Sequence, residues 1–176
     1  MADPRSVGGR AGVRVSVRRM TKQGSVPSIR SLSQWATLAL GRYARGRELS
    51  VLLVGPARSR SLNRQYRGHD YPTNVLSFPV TSVTDESMPV SRSVPRPVSR
   101  TIAGPLLGDI VICPQVLKRE SRAQGKSVRA HWMHLVIHGV LHLVGYDHQN
   151  PAAARLMEGR ERRLLRDLGV ADPYSE

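Results

Sequence analysis

Five of the chain's six histidines fall between His131 and His148, in the stretch AHWMHLVIHGVLHLVGYDHQ. Residues four apart on an α-helix lie on one face, about one turn from each other. His138 and His142 have that spacing, so both imidazoles can reach one ion, a known zinc arrangement. His148 cannot join them on a straight helix, because six further residues carry it about 9 Å along the axis and off the face. Gly145 offers the solution. A glycine just past the last helical turn adopts a left-handed conformation, ends the helix and lets the chain turn back. Three histidines then close on one ion and leave a coordination position open, as a catalytic metal requires. The opposing reading is a buried helix whose histidines hydrogen-bond within the core. His134 and His138 form a rival i, i+4 pair, but only His138 and His142 precede the glycine at the right distance. His134 is expected to support a ligand or to pack, and His131 to be structural.

The spacing H-x-x-x-H-x-x-G-x-x-H also occurs in metzincin proteases, where a glutamate follows the first histidine. Here that position is Gly139. Glycine cannot take a proton from water, so the protease's general base is missing and peptide hydrolysis by that route is disfavoured.

The elements that must position these residues follow from pattern. Val13–Val17 alternates apolar and polar and predicts a strand. Ser28 to about Arg45 predicts an amphipathic helix capped at Ser25 or Ser28. Leu49–Val54 predicts a strand, and a short helix follows Pro56 to Tyr66. Val75–Pro79 and Gly108–Ile112 predict two more strands. Helices are expected from Pro114 to Gln124, Val128 to Val144 and Pro151 to Leu168, the last capped by Asn150 with Pro151 at its first position. The fold class is a mixed α/β domain with a helical C-terminal third. Residues 1–11 predict a disordered tail, and the Pro- and Ser-rich segment 81–101 a mobile loop.

Composition bounds the function. The 176 residues suit one domain. The formal net charge is +14, and only Lys22, Lys118 and Lys126 are lysines, so the excess is carried by arginine. Guanidinium forks suit phosphate, which makes a nucleic acid the first candidate partner. The alternative is a solvated basic surface. The lone Cys113 lies in an apolar run and cannot form an internal disulfide, which fits a reducing compartment. No secretory signal or membrane span is visible, and a cytoplasmic location is expected.

His138-Gly139-Val140-Leu141-His142-Leu143-Val144-Gly145-Tyr146-Asp147-His148 resembles the signature of the YbeY family of bacterial metal-dependent endoribonucleases. A second block, Leu62 to Pro79 (LNRQYRGHDYPTNVLSFP), is similar to that family's other motif, as are Leu107–Ile110 and the tail around Met157–Glu158 and Leu168–Gly169. The likeness runs from about Val13 to Tyr174. It implies a small sheet packed against helices and one metal, Zn²⁺, held by His138, His142 and His148. It implies processing of ribosomal RNA, above all at the 3′ end of small-subunit rRNA, and ribosome quality control, with the small subunit as partner and no DNA role. It places the family's functionally important arginine on Arg67. The chain departs from the family in a longer loop over 81–101 and in the absence of acidic residues from Ala57 to Arg60.

From the residues alone, Arg67 suits a bidentate phosphate clamp, with an ion pair to Asp70 as its structural alternative. Asn74 and Ser77 suit phosphate contacts, or capping and strand packing. Asp147 suits a carboxylate that orients a ligand histidine, or a cap on the turn. Two other functions compete: a ribosome-associated binding protein with a structural metal, and a metallohydrolase of another substrate. The missing glutamate at 139 and the basic charge count against the second.

Overall fold

The computed structural model describes residues 12–22, 24–80, 105–148 and 150–174. The expected tail 1–11 and loop 81–101 lie outside the described residues.

Four strands form one sheet in the order β1-β2-β4-β3: β1 Arg14–Arg19, β2 Glu48–Leu53, β3 Val75–Pro79 and β4 Leu106–Ile112. β1, β2 and β4 run parallel, and β3 adds an antiparallel edge to β4. Five α-helices accompany them among the described residues: α1 Ile29–Leu40, α2 Pro56–Arg67, α3 Pro114–Ala123, α4 Val128–Leu143 and α5 Pro151–Asp167. The element order follows the periodicity of the sequence. The main difference is α1, which stops at Leu40 and gives way to a 3₁₀ turn, Gly41–Tyr43. Gly41 takes a φ of 57°, which no α-helix interior contains.

The period-2 alternation of the strands divides the core. Leu49, Val51 and Leu53 of β2 and Ile110 and Ile112 of β4 join the larger cluster, with side chains of α1, α4 and α5. Val54, Leu76 and Val111 belong to a smaller cluster completed by Leu62 of α2 and Val116 of α3. β4 carries a bulge, where the pairing with β2 shifts register between Glu48 and Ser50. Gly108 sits there at φ 142°, and a Cβ on it would lie 2.2 Å from the Phe78 carbonyl oxygen. Only glycine lets β3 and β4 pair at this point.

Helix α4 runs through the middle of the protein, packed on β3 and β4 and flanked by α1, α3 and α5. Ser127 caps its start by accepting a hydrogen bond from the Ala130 amide (3.0 Å). Its apolar residues cover nearly every side, and Leu135, Val136, Ile137, Val140 and Leu141 are all buried. Each such side chain contributes about 1.5–3 kcal/mol on leaving water. This burial fixes the helix, so the side chains on its remaining stripe have little freedom to shift.

Candidate metal centre

That remaining stripe is made of histidine. From His131 to Leu143 the only residues not fully buried are His134, His138 and His142. They stand one turn apart, and His134 and His138 open onto a cavity of about 530 Å³ whose walls also include Arg67, Asn74, His148 and Tyr174.

After α4 the chain reverses at Gly145, which takes a φ of 92°. The Gly145 amide donates to the His142 carbonyl (3.1 Å) and the Tyr146 amide to that of Leu141 (3.0 Å), so the helix end is satisfied while the backbone turns back. The turn brings the His148 ring to 4.9 Å from the His142 ring and 5.8 Å from the His138 ring, centre to centre. The His138 and His142 rings are 4.5 Å apart, and their Nε2 atoms 3.1 Å apart. Two imidazole nitrogens bound to one tetrahedral zinc lie about 3.3 Å apart, so the spacing suits a shared ion.

His138 is held from behind. Its Nδ1 lies 2.7 Å from Oε1 of Glu161, a carboxylate on α5 with no exposed surface. Burial opposes ionisation of Glu161, but the His134 and His138 rings and the Tyr174 hydroxyl outweigh it and hold the carboxyl down at about 2. Tyr174 donates its hydroxyl to Oε2. Burial and then Glu161 raise the phenol above its ordinary range, so it stays protonated. An ionised carboxylate at Nδ1 fixes the proton there and leaves the His138 Nε2 lone pair facing His142. Burial, then the neighbouring His138 and His148 rings, push His142 down to about 4, so its imidazole is neutral near pH 7. Two facing imidazole nitrogens require a proton on one of them or a cation between them. The donor set, three imidazoles with a carboxylate behind one, fits a zinc-type ion.

A rival group, His134, His138 and Glu161, also clusters closely. In it Glu161 already spends Oε1 on His138 and Oε2 on Tyr174. Among the described residues neither ring nitrogen of His134 has a hydrogen-bond partner, and its Nε2 is 3.6 Å from Glu161. His134 therefore packs edge-on between His138 and Tyr174.

The other candidate residues separate. Arg67, exposed at the end of α2, lines the cavity and forms no hydrogen bond or ion pair among the described residues. The alternative pairing with Asp70 does not occur: Arg60 grips Asp70 with two bonds of 2.9 and 2.6 Å. Asn74 lines the cavity too, but its side-chain amide donates to Glu120 Oε2 (2.7 Å), which also meets His131 Nε2 at 3.0 Å. Ser77 lies under Gly139 rather than in the cavity wall. Asp147 Oδ1 accepts from the His148 amide (2.7 Å), which braces the turn, and lies 3.7 Å from the His148 ring. Glu161 is the carboxylate in hydrogen-bond contact with a candidate ligand, His138 (2.7 Å), while Asp147 stands 3.7 Å from the His148 ring and clusters with His142 and His148.

Gly139 itself faces the sheet. A Cβ there would lie 2.8 Å from Ile110 Cδ1 and 3.2 Å from Ser77 Oγ. The glycine lets α4 approach the sheet closely, and a glutamate in its place would point into packed core.

Sequence reasoning missed Glu161, Tyr174 and Glu120. The signal for Glu161 was present, since it shares a helical face with Met157, Leu164 and Leu165, all buried. An acid alone on a buried face needs a partner.

An α/β domain that gathers three histidines around a helix end, backed by a buried carboxylate and with an arginine in the same cavity wall, has the features of a candidate metallohydrolase. The family profile "Endoribonuclease YbeY" matches residues 18–169. The endoribonuclease YbeY of Stutzerimonas stutzeri is 47% identical over 153 residues, covering 87% of this chain and 86% of the relative. That of Halorhodospira halophila is 45% identical over 152 residues, covering 86% and 90%. The solution structure of TM1509 from Thermotoga maritima covers 92% of this chain and 100% of its own, with a TM-score of 0.49 and 21% identity. The chain belongs to the endoribonuclease YbeY family.

Proposed function

We propose that the protein is a zinc-dependent endoribonuclease that cuts single-stranded ribosomal RNA in the cytoplasm, maturing the 3′ end of small-subunit rRNA and serving ribosome quality control. The observation that carries this reading is the juxtaposition in one cavity of Arg67, without a partner among the described residues, with His134, His138 and His148. Family membership supports the RNA substrate. The formal net charge of +14 favours a polyanion.

In this reading His138, His142 and His148 would hold the ion, which would supply Lewis acidity at the phosphate. The protein's own groups do the rest. Arg67 takes two non-bridging phosphate oxygens in its fork and balances the charge that builds on them. Glu161 keeps the proton on His138 Nδ1, and Tyr174 keeps Glu161 in place. Other arginines hold the RNA backbone, with strong salt dependence.

The test compares wild type, His142→Ala and Arg67→Ala on an unstructured rRNA fragment, with bound metal measured for each. His142→Ala is expected to lose metal and cleavage, and Arg67→Ala to keep metal and lose cleavage. If both variants cut as wild type does, the cleavage is not this protein's and a binding role replaces it.

A further inference from the structure

The segment that joins the two cavity-lining residues Arg67 and Asn74 is built in an unusual way. Every residue from Arg64 to Tyr71 is exposed, including two large aromatic residues. Tyr66 is 58% exposed and Tyr71 57%. Leaving such rings in water forgoes the stabilisation that burying them would bring.

The exposure does not come from a loosely held loop. Asn63, which is buried, donates to the Tyr71 carbonyl (2.8 Å). Ser59, also buried, accepts from the Thr73 amide (2.9 Å) and donates to the Thr73 carbonyl (2.7 Å). Arg60 clamps Asp70 with two bonds. Helix α2 thus pins the loop at residues 70, 71 and 73. The rings are ordered against each other as well. His69 and Tyr71 stack with centres 5.4 Å apart and planes 22° apart. Tyr66 packs edge-on against Phe78, 4.9 Å centre to centre.

A pre-formed pair of near-parallel rings at the surface, with one face open, is what an unpaired nucleobase stacks on. The surroundings suit a nucleic acid. Helix α2 carries Arg58, Arg60, Arg64 and Arg67, and Asp70, bound to Arg60, is the only acid from residue 56 to 71.

The geometry points to a base-stacking subsite for single-stranded RNA at Tyr71 and His69, holding an unpaired base beside the nucleotide whose phosphate Arg67 receives. The subsite rests on the RNA-cleaving reading of the cavity. It explains selectivity for single strands, because a base inside a duplex has no free face to offer. Stacking is indifferent to base identity, so it grips the strand without selecting sequence.

The experiment measures two things on wild type, Tyr71→Ala and Tyr71→Phe of the full chain: cleavage of a short unstructured RNA, and binding of its non-cleavable 2′-O-methyl counterpart across a salt series. Tyr71→Ala is expected to raise both Kd and KM roughly 5- to 100-fold, with little change in kcat. The slope of log Kd against log salt should stay as in wild type, since no phosphate contact is removed. Tyr71→Phe, which keeps the ring, should behave as wild type. An oligonucleotide with one abasic position should bind wild type as weakly as the intact strand binds Tyr71→Ala. Unchanged Kd and KM in Tyr71→Ala overturn the subsite, and so does a Tyr71→Phe that binds as weakly as Tyr71→Ala, which would make the hydroxyl and not the ring the contact. If wild type binds the strand but does not cut it, the endoribonuclease reading fails, and the Tyr71 binding comparison still judges the subsite by itself.

Discussion

His138 Nδ1 lies 2.7 Å from Oε1 of Glu161, and the carboxylate is wholly buried. The pair joins two helices and decides which nitrogen of His138 faces the cavity. Outer carboxylates of this kind typically contribute 10–100-fold to metal affinity. Glu161→Gln keeps an oxygen acceptor and is expected to weaken zinc binding about 10-fold, and Glu161→Ala about 100-fold. Titration against a competing chelator checks this, and equal affinities in all three proteins would refute the positioning role.

Gly139 admits no side chain without displacing Ile110 or Ser77. Gly139→Glu, which would restore the metzincin pattern, drives a charged group into the contact between α4 and the sheet. A loss of about 3 kcal/mol or more is expected from overpacking and charge burial. Chemical denaturation measures it. Proteolytic activity in this variant at wild-type stability would overturn the packing account.

Gly108 combines a φ of 142° with a carbonyl oxygen where a Cβ would stand. Gly108→Ala must move β3 or straighten the bulge. The expected cost is about 2–4 kcal/mol, read as a lower denaturant midpoint with the slope unchanged. A midpoint equal to wild type would show that the bulge tolerates a side chain.

Glu120 meets His131 and Asn74 through Oε2. Burial opposes its ionisation, but the hydrogen bonds from His131 and Asn74 prevail and lower its pKa from the ordinary 4.5. In acid the unfolded chain therefore takes up a proton that the folded protein resists. The stabilisation is complete above about pH 5 and fades as the pH falls through 4.5 and below. Melting temperatures followed from pH 6 to pH 3 should drop less steeply for Glu120→Gln than for wild type. Parallel curves would remove Glu120 from the acid response.

Zinc-loaded protein should also melt higher than protein stripped by chelation, because an ion held by His138, His142 and His148 binds the folded chain alone. The difference should vanish in His142→Ala. A stripped wild type as stable as the loaded one would mean that the three rings hold no ion.

Local rules reached far along this chain. The strands, the cap at Ser28, the Asn150–Pro151 helix start and the reversal at Gly145 depend on neighbours within a few residues, so periodicity and the placement of capping residues and glycine reveal them. The grouping of His138, His142 and His148 was legible for the same reason, since a helix face and one turn bring them together. Partnerships across the chain were not legible. Arg60 rather than Arg67 holds Asp70, although both arginines are near it in sequence, because the turn after α2 decides which fork reaches the carboxylate. Glu161 reaches His138 only because α5 packs beside α4. Gly139 reads in sequence as an absent base, and in three dimensions as the contact that seats the helix on its sheet. Spacing along the sequence determined the ligand-like triad. Tertiary packing decided which carboxylate backs it and which arginine, without a partner among the described residues, lines the cavity beside it, because those choices depend on distances between elements that no local pattern encodes.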